Sequence, residues 1–313
     1  MASSNYNKFQ IDVASGRVTF PVVILVCLLL WGITFNEWQD AISLLACALT
    51  AYSLIEINTT FTLIRTRSTL HVSLYVFLTT ACLFLHPFQP ATFVPLIFLI
   101  AIFQLFRSYE SPYPAGSIFH AFFFIGLGSL LFPQLLYFVP LFYWGMINFR
   151  SLSPKSFLAG LIGLSVPYWF FLGYAFYYDK MDLFYDPLQE IIHFQPISYG
   201  VLGLNRIISC GVVTLLSLVS SVHYFNVSYL DKVRTRIFLS FLIVIEAWIY
   251  LLGILQPQHF NILLQMQIIA GSILTGHLFT LTRNRFTGIF FTITFVILIV
   301  LTLYNLWMQF FNS

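Results

Sequence analysis

Charge is what this chain has least of. Asp, Glu, Lys and Arg make up 8% of its 313 residues, where a soluble globular domain carries about a quarter. Together with 59% hydrophobic residues and a mean hydropathy of +0.88, this excludes a soluble enzyme or binding module and indicates a polytopic membrane protein. Cysteine is also scarce: Cys27, Cys47, Cys82 and Cys210 each sit in an apolar run with no CxxC or Cys/His spacing, so they read as small buried hydrophobes and not as a redox or zinc motif. The histidines, His71, His86, His120, His193, His223, His259 and His277, form no HxxxH or HExxH pair, which removes support for a haem or di-metal oxygenase. GxGxxG, Walker A and GxSxG patterns are missing, which argues against nucleotide-driven and serine-hydrolase chemistry. No internal repeat is visible, so nothing supports the inverted-repeat design of many transporters. The sequence names no cofactor.

What is present in quantity is apolar run. Windows bounded by charge or proline give eleven candidate spans: 18–35, 41–64, 69–85, 91–106, 115–132, 134–149, 156–178, 199–225, 237–255, 260–281 and 286–310. The fifth and sixth are separated by Phe132-Pro133-Gln134 alone and read as either a hairpin of full spans or a re-entrant pair. With the amino terminus inside, twelve of the fourteen basic residues fall in inside segments, and the outside segments keep Lys180 and Arg206 with six carboxylates. That is the positive-inside pattern. The expected fold is therefore all-α: one transmembrane helical bundle over 1–313 with about 11 spans, amino terminus inside, carboxyl terminus outside, and no soluble domain at either end. The net charge of +3, segregated in this way, reports orientation and not nucleic-acid binding.

The one long polar interruption is 177–206, with an outer loop over 178–199 that holds four of the eleven carboxylates. Asp179, Asp182, Asp186 and Glu190 would share one face of a continuous helix. Asp186-Pro187-Leu188-Gln189 reads instead as a helix start with Asp as N-cap, giving a short interfacial helix over 187–194 that turns Ile191, Ile192 and Phe194 to the membrane and closes at Gln195-Pro196. These acids are candidates for binding a cation or an acceptor, or for general base work near the outer headgroups; solvated loop charge is the competing interpretation. Arg206, about seven residues into an apolar run, calls for a carboxylate or an anionic partner such as a lipid phosphate. Glu37 and Asp40 form the outer turn between the first two spans. Glu56 and Glu246 stand alone within spans, as proton-relay or structural acids.

Phe106-Arg107-Ser108-Tyr109, the segment 121–131 with Gly126-Leu127-Gly128-Ser129-Leu130-Leu131-Phe132-Pro133, Arg150, and Gly163 to Tyr168 together resemble an uncharacterised family of polytopic inner-membrane proteins of Bacteroidota. The likeness covers most of the chain in general layout and implies a multi-pass protein of the bacterial inner membrane without an established activity. At a greater distance the layout is similar to membrane glycosyltransferases of the GT-C type, which use polyprenyl-phosphate sugars. That resemblance implies Glu37 or Asp40 as catalytic base, the acids from Asp179 to Glu190 as acceptor or cation ligands, and Arg206 as a phosphate ligand. The chain departs from that type in its first outer loop, which spans about five residues where those enzymes have a long loop with interfacial helices. The alternatives from the residues alone are a non-catalytic scaffold of an envelope complex and a proton-coupled transporter that uses Glu56 and Glu246.

Overall fold

The computed structural model describes residues 8–15, 18–66, 68–192, 197–282 and 284–311. The expected turn of Phe194 to the membrane and the expected closure at Gln195-Pro196 lie outside the described residues, as do Arg17, Arg67 and Arg283. Among the described residues the chain is helical, with no strand. In order, the α-helices are α1 Lys8–Ser15, α2 Thr19–Thr34, α3 Asp40–Phe61, α4 Leu70–Ala81, α5 Val94–Arg107, α6 Ala115–Ser129, α7 Val139–Asn148, α8 Pro154–Tyr177, α9 Asp182–Ile192, α10 Leu204–Val227, α11 Val233–Leu255, α12 Phe260–Leu281 and α13 Arg285–Phe311. Each of the eleven apolar windows holds a helix.

Seven of these helical segments are long and apolar enough to cross a membrane: α3, α5 with its preceding 3-10 turn, α8, and α10 to α13. The helices α2, α4 and α6 are apolar but shorter. The fifth and sixth windows hold the 15-residue α6, then a 3-10 turn at Pro133–Phe138 and the 10-residue α7. At 1.5 Å per residue α7 is about 15 Å long, roughly half of a bilayer core.

The chain forms two compact units, one of 1–89 with 198–313 and one of 90–197. The first is organised around α12, of whose apolar window 89% is buried, against 22–56% for the other six. The helices α4, α10 and α11 pack directly on α12, and α1 and α13 complete its surroundings. Backbone groups at helix ends cannot be left bare in an apolar surrounding, and long-range amide side chains meet that need. Gln10 Nε2 on α1 donates to Phe279 O (2.9 Å) and Thr282 O (3.0 Å) at the end of α12. On α13, Asn305 Nδ2 donates to Ala81 O (2.8 Å) at the end of α4 and to Ser209 Oγ (3.1 Å) on α10.

This unit has two chemically different ends. At one, the loop after α3 meets the start of α11: Arg65 donates to Leu230 O (3.2 Å), and the Arg234 guanidinium lies over the rings of Phe61 and Phe238. At the other, the 36–40 turn meets the loop at 86–88, and Tyr199 Oη donates to Ile254 O (2.8 Å) at the close of α11.

In the second unit, α6 and α8 cross with backbones in near contact. A Cβ on Gly163 would lie 2.4 Å from Phe119 O, and one on Gly126 would lie 2.6 Å from Leu164 O. Small residues permit that approach, as in other membrane helix pairs. The start of α8 is fixed by a capping box between Ser153 and Ser156. Its end is a Schellman turn in which Lys180 N donates to Ala175 O (2.9 Å) and Asp179 takes the left-handed position with φ 54°.

The helix α9 starts at Asp182 and runs through Pro187, where the sequence pointed to a new helix beginning at Pro187. Proline removes one helical hydrogen bond, but tertiary packing outweighs that local cost. Phe184 packs on Tyr168 and Phe171 of α8, and Tyr137 Oη donates to Ile191 O (2.8 Å).

Gly163→Ala should destabilise the protein by about 2 kcal/mol or more, because the clashing atom is backbone and cannot rotate away. Gly173→Ala on the same helix, where nothing lies within 4 Å of the added methyl, should be neutral or slightly stabilising. Thermal unfolding of both variants in detergent measures the contrast.

Candidate functional site

The sequence-predicted acids occupy different environments. Asp179, Asp182, Asp186 and Glu190 all belong to the 90–197 unit and are exposed. Asp182, Asp186 and Glu190 follow one another at i+4 spacing on α9 and so share a face, whereas Asp179 lies outside that helix in the turn that closes α8. Glu37, Asp40, Glu56, Arg206 and Glu246 belong to the other unit.

Asp40 is buried, and its carboxylate is fully engaged. Oδ2 accepts from the amides of Asn36 (3.1 Å) and Glu37 (3.2 Å), and Oδ1 accepts from the amide of Phe88 (3.3 Å). This carboxylate ties the α2–α3 turn to the loop after α4. Beside it His86 stacks on Trp31 at 4.1 Å between ring centroids. His86 Nε2 lies 3.1 Å from Thr80 O, and a carbonyl only accepts, so Nε2 carries the proton and Nδ1 accepts from the Thr34 hydroxyl at 2.7 Å. Burial pushes the His86 pKa down from 6.5 to about 4, with the Thr80 carbonyl and the Asp40 charge opposing. Glu37, three residues from Asp40, is exposed, and Glu56 is exposed on α3.

Arg206 is the third residue of α10 and sits in its first turn, not deep within the run. It is half-buried, with its guanidinium 5.8 Å from the centre of the Phe84 ring, and no carboxylate pairs with it among the described residues. The N-cap of α10 is Gly203, which offers no side-chain cap to the first amides.

A cavity of about 760 Å³ lies between α10 and α11 with α12 as its back wall. Its walls are apolar: Ile207, Leu215 and Leu218 from α10, Ile249 and Ile254 from α11, Leu263 from α12. Several of these are exposed at the surface, Leu218 at 53% and Ile254 at 59%, so the cavity opens sideways. Its polar wall is Thr214, Tyr250 and Gln267. Gln267 Nε2 donates to Tyr250 Oη (2.9 Å) and to Thr214 Oγ1 (3.2 Å). Ile207, the residue after Arg206, lines the cavity, while Arg206 itself is not among the lining residues and turns its guanidinium to the Phe84 ring.

One turn along α11 from Tyr250 is Glu246, 2% exposed, whose carboxyl faces the hydroxyls of Ser217 and Ser221 on α10. A polar sequence continues away from the cavity. Ser220 Oγ lies 3.1 Å from Thr275 Oγ1, and His277 Nε2 lies 2.9 Å from Asp231 Oδ2 with both side chains buried. Sequence reading singled out Glu246 and Arg206 but missed Thr214, Ser217, Ser221, Tyr250 and Gln267. The signal was there as helical spacing: 214, 217 and 221 fall on one face of α10, and 246 and 250 on one face of α11.

No group of three or more His, Cys, Asp or Glu that could hold a metal is found among the described residues. Comparison of the chain with protein-family models, curated proteins and solved structures returns no match.

Asp40→Ala should lower stability by about 1 kcal/mol, because it strips three part-buried amides of their acceptor, while Glu37→Gln should leave the unfolding temperature unchanged. The pH dependence of the wild type gives a separate check. A base whose native pKa lies below its unfolded value contributes stability above the unfolded value and loses it as pH falls. His86 should therefore cost the wild type roughly 2 kcal/mol between about pH 8 and 5. His86→Gln should flatten that part of the profile.

Proposed function

We propose that this is a multi-pass protein of the bacterial inner membrane that binds a phosphate-bearing lipid of the polyprenyl-phosphate type, with the chain in the α10–α11 cavity and the phosphate at Arg206. The observation that carries this reading is a half-buried arginine with no carboxylate partner among the described residues, adjacent in the chain to Ile207 in the wall of an apolar cavity. The amides at the start of α10 add a second attraction for an anion, since the helix dipole is positive there and no side chain makes a cap hydrogen bond to them. A guanidinium also offers paired donors that match phosphate geometry.

Eleven membrane-embedded segments, with the amino terminus at the cytoplasmic face, complete the proposal. In support, the loops bearing Arg65 and Lys232 to Arg236 meet at one end of their unit, and Glu37, Asp40 and Arg206 belong to the opposite end. On this reading the lipid phosphate lies in the outer leaflet. Glycosyl transfer from such a lipid, the activity of the GT-C type, requires a base. At this end Glu37 has an exposed carboxylate, while Asp40 is committed to backbone amides, so the role falls to Glu37. The acids on α9 remain candidates for an acceptor or a cation. A transporter reading draws on Glu246, which is buried; Glu56 is exposed on α3 and lines no part of the cavity.

Purified protein in detergent should bind polyprenyl phosphate more tightly than the uncharged polyprenol, and Arg206→Gln should remove about tenfold of that preference. Leu218→Trp, which fills the cavity, should weaken both ligands. Equal affinity for the two lipids in the wild type, or no effect of Arg206→Gln, rejects the proposal. Glu37→Gln should leave binding intact and abolish transfer of a sugar from the lipid.

A further inference from the structure

Three buried oxygens in the 1–89/198–313 unit converge without a well-directed hydrogen bond to any group: Glu246 Oε1, Ser217 Oγ and Ser221 Oγ. Their side chains are 2%, 1% and 7% exposed. They meet where α12 has no side chain. A Cβ built on Gly271 would fall 2.4 Å from Ser217 Oγ and 3.2 Å from Glu246 Oε1. Polar atoms this deeply buried ordinarily have partners. A carboxyl within a membrane helix likewise needs either a partner or a compensating charge.

We infer that Glu246, Ser217 and Ser221 form a binding site for a single small monovalent cation, set one helical turn beyond the polar wall of the cavity. The ligand set is all oxygen, which suits a hard cation and not a transition metal. It carries one carboxylate, so a single positive charge neutralises it, whereas a divalent ion would leave a net charge buried in an apolar surrounding. Sodium and the proton share this chemistry. Tyr250 is the titratable group that faces Glu246 from its own helix; α10 faces it with Ser217 and Ser221, and α12 with Gly271. The His277–Asp231 pair lies further along α12, toward the Lys232 loop.

Tyr250 gives the site a path to the cavity. Its hydroxyl contacts Ser217 on one side and accepts from Gln267 on the other. Loading the cation thus changes the charge one residue away from the wall that a ligand touches. This coupling rests on the cavity being the lipid site; the cation site itself does not.

The test uses lipid-free protein in detergent, which separates it from the lipid experiment. If sodium is the ion, sodium chloride at alkaline pH should raise the unfolding temperature of the wild type, while potassium and choline chloride should not. Glu246→Gln and the Ser217→Ala/Ser221→Ala double variant should lose that response, and Arg206→Gln should keep it. If the proton is the ion, sodium has no effect, and infrared spectroscopy should show a protonated-carboxyl band that disappears on raising pH and is missing from Glu246→Gln. Absence of both responses in the wild type, or their persistence in Glu246→Gln, overturns the inference. Glu246→Gln keeps the shape of the side chain and removes its charge, so a folded variant without either response is the outcome expected.

Discussion

The burial of α12 is the constraint on which the first unit depends. A helix enclosed along nearly its whole length has no face for polar side chains to turn to solvent or headgroups, so the neighbours must accommodate each one. Gln267 is met by Tyr250 and Thr214, Thr275 by Ser220, and His277 by Asp231. The polar residues of α10 and α11 follow from this requirement. Where the matching is incomplete, at Gly271, three oxygens are left facing one another.

The same demand operates at the helix ends. Gln10, Asn305 and Asp40 each reach a backbone group in a distant part of the chain. Such contacts hold short elements in position: α1 has eight residues and would be marginal alone. Asp40 illustrates how a conspicuous acid can be structural. Its neighbour Glu37, three residues earlier, differs only in lacking amides to accept from and in facing outward.

The second unit solves its packing differently. There the backbones of α6 and α8 approach at Gly126 and Gly163, so close contact replaces side-chain hydrogen bonding as the source of specificity. The hydroxyls that do appear serve starts and crossings, as in the Ser153–Ser156 box and the Ser129–Tyr168 pair at 2.7 Å. The exposed acidic face of α9 is a consequence of the packing of Phe184 and of the hydrogen bond from Tyr137 to Ile191 O, which orient the helix and outweigh the break expected at Pro187.

Composition and hydropathy by themselves determined that this chain is helical and membrane-type, and where its apolar helices lie, because both follow from transfer energies summed over windows of about twenty residues. They also picked out Glu246 and Arg206 as groups needing compensation. Which acids are engaged was decided only by the tertiary structure: the Asp40 carboxylate accepts from three amides, Asp179 is exposed, and Glu246 is buried facing two serines with no hydrogen bond to its Oε1. A side chain's partners come from helices far away in sequence, as Asn305 shows by reaching Ala81. The cavity between α10 and α11 belongs to the same category, since its walls come from three helices and its existence depends on how α12 holds the other two apart.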